Sequence, residues 1–455
     1  RMLSNSEDQL KRSGYNFLGL INDIKRRPED VSKELGISLD EVNSVIQGQK
    51  ELSYDIIAKA VEKWPLNPRD FFLIQDDSFN GVKIMRAEQS ASSSRIMDRG
   101  GAPYYEYRDT AMSSVSLFRP EWIEELCIVE NNETDNPKVQ WNRGHFMHQF
   151  TYFIGDVNYY YTDGNKQKKV FVTKTGDSVY GTPFRPHTFT TRKGADKNGL
   201  ILALTYGNKI AADTQQELSA IGKELGIQYH LDFSTKEKAF ASLLQFNMDA
   251  ASITKEELMK RTGISLEKIV QCLEGVLPVP DNSLLLKLAD ALNINSRDLM
   301  PPDIIEEKVI PKKYEDGKRW FYPNDSKAYE MVELAQSRNL PYSKALELHI
   351  RENSNDSLDL KVGLHQWIYN MSESTIRFNW KSGNEIFQEN IGPNDSIYIK
   401  PFVEHSMRGS GKVMVLRIGG RMSGDAQREF SNLSKEDAHR AVNETQMWFT
   451  PTGEN

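Results

Sequence analysis

The sequence predicts an α+β chain in which one unit, a small helical bundle followed by an antiparallel β domain, occurs twice. Three observations carry that reading. The segment DVSKELGISLDEVNSVIQGQ (Asp30–Gln49) recurs as ELMKRTGISLEKIVQCLEG (Glu257–Gly275), and NPRDFF (Asn67–Phe72) recurs as NSRDLM (Asn295–Met300). Downstream of each, MHQFTYFIGD (Met147–Asp156) parallels LHQWIYNMSE (Leu364–Glu373), and TPFRPHTF (Thr182–Phe189) parallels KPFVEHSM (Lys400–Met407). Self-similarity of this kind marks a duplicated unit. The 455 residues are also about three times an ordinary domain, so several domains are expected.

In chain order, residues 1–80 read as a helix-turn-helix-like bundle, 81–212 as the first β domain, and 213–305 as the second bundle. Residues 306–430 form the second β domain and 431–455 a C-terminal tail. In each bundle, apolar residues at helical spacing run into a tight Gly-Ile-Ser turn, where Ser38 or Ser265 is placed to cap the following helix. The β domains show short alternating runs rich in β-branched and aromatic residues, KKVFVTKTGDSVY and DSIYIKPF among them. Turns carrying Gly-Asp, Pro-Asn-Asp and Gly-Ser-Gly punctuate these runs, the pattern of an antiparallel sandwich or barrel. The charged, proline-containing stretch Pro301–Lys318 reads as a linker.

Composition narrows the function classes. The chain is 38% hydrophobic and 27% charged, with 57 basic against 64 acidic residues and a net charge of −7. A nucleic-acid binder usually shows a basic excess or stripe, so that class starts disfavoured. Two cysteines far apart, Cys127 and Cys272, exclude a disulfide scaffold or a cysteine-built zinc site. Cys272 aligns with Val45 and reads as a core residue, and Cys127 has no evident base partner. No apolar run reaches membrane-spanning length and the N-terminus is polar, so a soluble, cytoplasmic protein is expected.

The segment WNRGHFMHQF supplies His145, His148 and Gln149, and His187 follows 38 residues after Gln149. Strand side chains alternate, so His145 and Gln149 share a face while His148 points away. His187, at the start of a strand-like run after Pro186, completes a set of two imidazoles and an amide oxygen. That set resembles the two-histidine, one-carboxylate arrangement of non-haem Fe(II) oxygenases, with glutamine in the carboxylate's place. Strand histidines that are simply hydrogen-bonded are the alternative, and His148 reads as structural or as a support for a ligand. The second copy keeps His365, Gln366 and His405 but has Val362 where His145 stands, so one complete and one degenerate site are expected.

Tandem bundles and β domains with His145-x3-Gln149 and Tyr-Gly-Thr-Pro-Phe-Arg-Pro-His187 resemble the hydroxyethylphosphonate dioxygenase and methylphosphonate synthase family across essentially the whole chain. The resemblance implies two cupin (jelly-roll) barrels, a bicupin. The family's dioxygenases carry glutamate six residues before the final histidine. Here that position is Gly181, and glutamine at 149 is the pattern of the synthase branch. The chain also lacks the general cupin His-x-His. The implied chemistry uses Fe(II), with no 2-oxoglutarate or other organic cofactor. The substrate, 2-hydroxyethylphosphonate, supplies all the electrons for O2, and its C–C bond is cleaved to methylphosphonate and CO2 or bicarbonate.

Carried over residue by residue, the resemblance implies that Arg99 and Tyr107 grip phosphonate oxygens and that Asn142 lies beside the site. Thr205 occupies a hydroxyl position on a later strand. Lys25 closes over the site from a neighbouring subunit of a homo-oligomer. Each also has an ordinary reading: a loop arginine, a core aromatic, a turn residue, a strand filler, and one of a solvated Lys25-Arg26-Arg27 run. The second copy places Ser252 opposite Lys25, Met331 opposite Tyr107, Asp359 opposite Asn142 and, more loosely, Pro323 opposite Arg99. Polar groups that vanish together with the metal ligand behave as one site.

Competing outcomes are a dioxygenase yielding hydroxymethylphosphonate and formate, an epoxidase on a secondary alcohol phosphonate, and a transcription regulator with a ligand-sensing cupin. Against the last, the would-be recognition helices LDEVNSVIQGQ and LEKIVQCLEG lack a base-reading cluster of Arg, Asn or Gln. No nucleic-acid or membrane partner is expected.

Overall fold

The computed structural model describes residues 6–207, 209–304, 307–352 and 355–443. Its two bundles have matching element orders. Helices Ser6–Asp23, Pro28–Leu35, Leu39–Ile46 and Tyr54–Lys63 lead to a 3-10 turn at Pro68–Phe71. Lys236–Ala251, Lys255–Thr262, Leu266–Leu273 and Asn282–Leu292 lead to one at Ser296–Leu299. Ser38 accepts the Glu41 N–H and Ser265 the Lys268 N–H, satisfying backbone donors that a helix start leaves open. Each bundle has its own core, with Cys272 buried in the second. The residues the repeat pairs as Lys25 and Ser252 both sit in the left-handed region just past the first helix, at φ 61° and 53°. Among the described residues no helix is long and apolar enough to cross a membrane.

Each β half packs a seven-stranded sheet against a smaller one, four-stranded in the first half and three-stranded in the second. Ile123, Phe153 and Ile201 of the large first sheet meet Val157, Tyr159 and Phe189 of the small one. The outer faces of the two large sheets pack back to back, Phe118, Tyr152, Leu204 and Tyr206 against Trp367, Tyr398, Leu416 and Ile418. The buried Trp367 indole donates to Thr110 Oγ1 across that contact, at 3.1 Å.

The edges of the large sheets are exchanged. Val82–Met85 pairs antiparallel with Ser396–Ile399 of the second half. Val309–Lys312 pairs with Ser178–Gly181 of the first. Pro301–Lys318 is therefore not simply a linker, because it contains an edge strand. Pro311 is tolerated there, since an edge strand leaves one row of N–H groups unpaired. Matching carboxylates pin both crossings. Buried Asp395 accepts from the Ala87 N–H (2.8 Å) and from Arg86 (3.0 Å). Buried Asp177 accepts from the Tyr314 N–H (2.9 Å) and from Lys313 (3.0 Å).

Candidate metal centre and substrate pocket

His145 lies in the loop before the strand His148–Ile154 and His187 opens the strand His187–Arg192, and the two segments meet through their backbones. The Phe184 N–H donates to the His145 carbonyl at 2.7 Å, and the Asn142 N–H donates to the His187 carbonyl at 3.2 Å. Gly144 permits this approach. Its φ is +76°, and a Cβ there would fall 2.6 Å from the Phe184 carbonyl carbon, so a side chain would push the loops apart. The imidazoles end edge to face, with ring centroids 5.2 Å apart.

Second hydrogen bonds set the tautomers. His145 Nδ1 lies 2.9 Å from the Met147 carbonyl oxygen, and His187 Nδ1 lies 2.8 Å from that of Arg185. A carbonyl can only accept, so each Nδ1 carries the proton and each Nε2 presents a lone pair, as in a histidine prepared for a metal. Burial lowers the pKa of His187 to about 4, which keeps the ring neutral. Gln149 donates through Nε2 to Thr151 Oγ1 at 3.0 Å, which turns its Oε1 toward His145 Nε2 at 2.8 Å. Two acceptors facing each other at that distance are mutually repulsive without a cation between them, so this donor set fits a metal ion. Among the described residues no group of three His, Cys, Asp or Glu side chains could hold one. The cluster reaches three donors through the Gln149 amide.

Gly181 and Thr205 lie directly across from Gln149 on its two neighbouring strands. A Cβ on Gly181 would meet only the Tyr159 hydroxyl, at 3.8 Å, so the space beside Gln149 stays open and no carboxylate stands there. Thr205 Oγ1 donates to the Arg119 carbonyl at 3.4 Å. Asn142 braces His187 twice, accepting its N–H at 2.9 Å and placing Nδ2 3.3 Å from its Nε2. Arg99 sits at the corner before Gly100 and Gly101. Its guanidinium packs 4.9 Å over the Tyr105 ring and donates to the Gln140 carbonyl at 3.3 Å. That positive charge also contributes to lowering the His187 pKa. Tyr107 stacks edge-on to Tyr105, and burial pushes its phenol up to about 12, so it is a neutral donor.

Lys25 stands apart. Its ammonium donates to the Asp23 carbonyl at 2.6 Å, beside the first helix of the bundle. His148 faces the other way, stacked against Tyr180 and Tyr206 with Nδ1 2.8 Å from the Tyr180 hydroxyl. Cys127 is half-buried, and burial raises its thiol pKa, so it is no activated nucleophile.

The second half refines the repeat alignment. Phe402 N–H donates to the Val362 carbonyl as Phe184 does to His145, which fixes that equivalence. Leu360, not Asp359, exchanges backbone hydrogen bonds with His405, so Leu360 is the counterpart of Asn142. The loop between that position and the 145/362 position is one residue shorter in the second half. Asp359 instead pairs with Arg408 at 2.8 Å. Arg417, the register equivalent of Thr205, donates through Nε to Gln366 Oε1 at 3.0 Å. The sequence carried that signal in LALTYG against MVLRIG, where Thr205 aligns with Arg417.

Two imidazoles and an amide brought together inside a β domain form a donor set that would suit a mononuclear non-haem metal ion. No family model matches the chain. A methylphosphonate synthase of Nitrosopumilus maritimus (strain SCM1) is 53% identical over 450 residues, spanning 99% of this chain and 98% of that one. The chain belongs to the methylphosphonate synthase family. A Streptomyces albus structure, HEPD with 2-hydroxyethylphosphonate and Fe(II) bound, is similar at TM-score 0.89 and 33% identity, covering 97% of this chain and 99% of its own. A 2-hydroxyethylphosphonate dioxygenase structure at TM-score 0.75 and 18% identity, covering 94% and 99%, shares the fold.

Proposed function

We propose that this chain is an Fe(II)- and O2-dependent enzyme that cleaves the C–C bond of 2-hydroxyethylphosphonate to methylphosphonate and bicarbonate or CO2. The observation that carries the reading is the pair of acceptors, His145 Nε2 and Gln149 Oε1, converging beside a carboxylate-free Gly181. The family and the ligand of the Streptomyces albus neighbour support the substrate.

His145, Gln149 and His187 would hold the iron. Bound Fe(II) supplies O2 activation and a Lewis-acid seat for the substrate hydroxyl and phosphonate. The protein ligands are all neutral, so the ion's charge is left for an anionic substrate. Arg99 offers a planar fork of donors to the phosphonate, Tyr107 a neutral hydroxyl, and Asn142 an amide that keeps the His187 ring in place. Thr205 flanks Gln149 with a small hydroxyl. Lys25 reaches the pocket from a second subunit of a homo-oligomer.

The β halves are read as two cupin-type jelly rolls, each with one edge strand lent by the other, behind helix-turn-helix-like bundles. The domains follow residues 1–80, 81–212, 213–305, 306–430 and 431–455, with Val82–Met85 and Val309–Lys312 exchanged. Of that tail, residues 444–455 lie outside the described residues.

The test is anaerobic loading with Fe(II), addition of 2-hydroxyethylphosphonate and then O2, and phosphorus NMR of the products. Methylphosphonate without added reductant is the expected result. Hydroxymethylphosphonate as the main product would move the chain to the dioxygenase reading, and no turnover without reductant would overturn the enzyme reading. DNA affinity that falls steeply with salt would support the regulator instead.

A further inference from the structure

Glu125 is a buried carboxyl that the reading above leaves unused. It ends the strand Phe118–Glu125 with 0% exposure, and among the described residues neither carboxyl oxygen has a hydrogen-bond partner. Strand alternation places it on the same face as Arg119, whose row contains Thr205 and Gln149, so it points into the first β half. An unpartnered carboxyl in that position costs stability, and an apolar residue of similar size would remove the cost. The duplicated half contains that replacement. Tyr105 and Tyr329 are equivalent, each hydroxyl accepting the N–H two residues after the strand histidine, Phe189 or Met407. Glu125 faces Tyr105 in register, and Ile350 faces Tyr329.

Arg99 is the complementary group. Its guanidinium lies over the ring of Tyr105, the residue Glu125 faces, and among the described residues it makes one long hydrogen bond although a guanidinium carries five N–H donors. In the second half Met97 corresponds to Tyr322, so Pro323–Asn324 replaces the Asp98–Arg99 corner. Acid and guanidinium are thus absent there together. The corner itself is two left-handed glycines, Gly100 at φ 60° and Gly101 at φ 81°, and Gly101 has open space around it.

We propose that Glu125 is a positioning residue for Arg99. When the Arg99 corner closes on the substrate, one edge of the guanidinium takes the phosphonate and another takes the Glu125 carboxyl, which fixes the fork's angle. This rests on the phosphonate role of Arg99 given above.

The test is steady-state kinetics on the iron-loaded enzyme with Glu125→Ile, Glu125→Gln, Arg99→Ala and Arg99→Ala/Glu125→Ile, alongside iron content and Tm. Glu125→Ile is expected to raise KM for 2-hydroxyethylphosphonate about tenfold, the loss of one charge-assisted hydrogen bond. Its kcat and iron content should stay near wild type, and its Tm should be unchanged or higher. Glu125→Gln, which keeps an acceptor, should recover most of that loss. In the Arg99→Ala background Glu125→Ile should add nothing. An unchanged KM in Glu125→Ile, or the same penalty with and without Arg99, would overturn the inference. If Arg99→Ala itself leaves KM unchanged, the failure belongs to the phosphonate role of Arg99. Should Glu125→Ile lose Tm, Glu125→Gln alone decides: its KM effect must again disappear in Arg99→Ala.

Discussion

In the first half Gln149 Oε1 faces His145 Nε2 across 2.8 Å; in the second Gln366 Oε1 accepts from Arg417 Nε at 3.0 Å. His187 and His405 both fix Nδ1 on a carbonyl two residues upstream, and both are buried. Among the described residues His405 Nε2 has no hydrogen-bond partner. The halves therefore share a converging set of acceptors and differ in the cation they invite. The first leaves room for a metal. The second brings a guanidinium from the strand position where the first has Thr205, and burial holds that group down to about 10. Loss of one imidazole at Val362 would weaken metal binding, and Arg417 goes further by delivering a positive charge to the remaining acceptor. A duplicated site can be closed by filling it as well as by deleting a ligand.

The largest effect that tests this comparison is His187→Ala, which should abolish iron binding and turnover, whereas Val362→Ala should leave both near wild type. Iron retained at full occupancy in His187→Ala by elemental analysis would remove it from the ligand set. The converse is Arg417→Thr with Val362→His, which restores the first half's pattern and should add a second metal equivalent in anaerobic titration. Stoichiometry unchanged at one would show that more than these two positions separates the halves. Lys25→Ala should raise KM about tenfold or more, the loss of a charge-assisted contact, with iron content unchanged. Mixing it with a His187→Ala chain should restore part of the activity if the lysine acts across subunits. The smallest effects concern the crossings: Asp177→Asn and Asp395→Asn should each cost about 2 kcal/mol in denaturant unfolding, by loss of hydrogen bonds to a buried charge. A large inequality between them would break the equivalence of the two exchanged edges.

His145 precedes the strand His148–Ile154 in a loop, so its approach to Gln149 comes from the loop and not from alternation. The strand period made Gln149 and His148 legible as opposite faces, because alternation is a local property of the chain. The bundle repeats were legible for the same reason, down to the Ser38 and Ser265 caps. Four features were not. Val82–Met85 is four residues long and its partner lies more than 300 residues away, so nothing nearby encodes the pairing. Pro301–Lys318 read as a linker because proline and charge also suit an edge strand. Leu360 was missed as the counterpart of Asn142 because a one-residue shortening shifts the alignment, while the backbone bond to His405 does not shift. Glu125 follows Glu124 directly, and only the pairing with Tyr105 in the sheet shows that the second of these carboxyls is fully buried.

The exchanged edge strands tie the two halves to each other. An open sheet edge invites pairing with another chain, and here each half closes an edge of the other's large sheet from within the same chain. The closing arm is therefore always at hand, at a concentration that no separate partner has to supply. Such a reciprocal loan leaves the pockets of the two halves free to differ while each still supplies the other's edge strand.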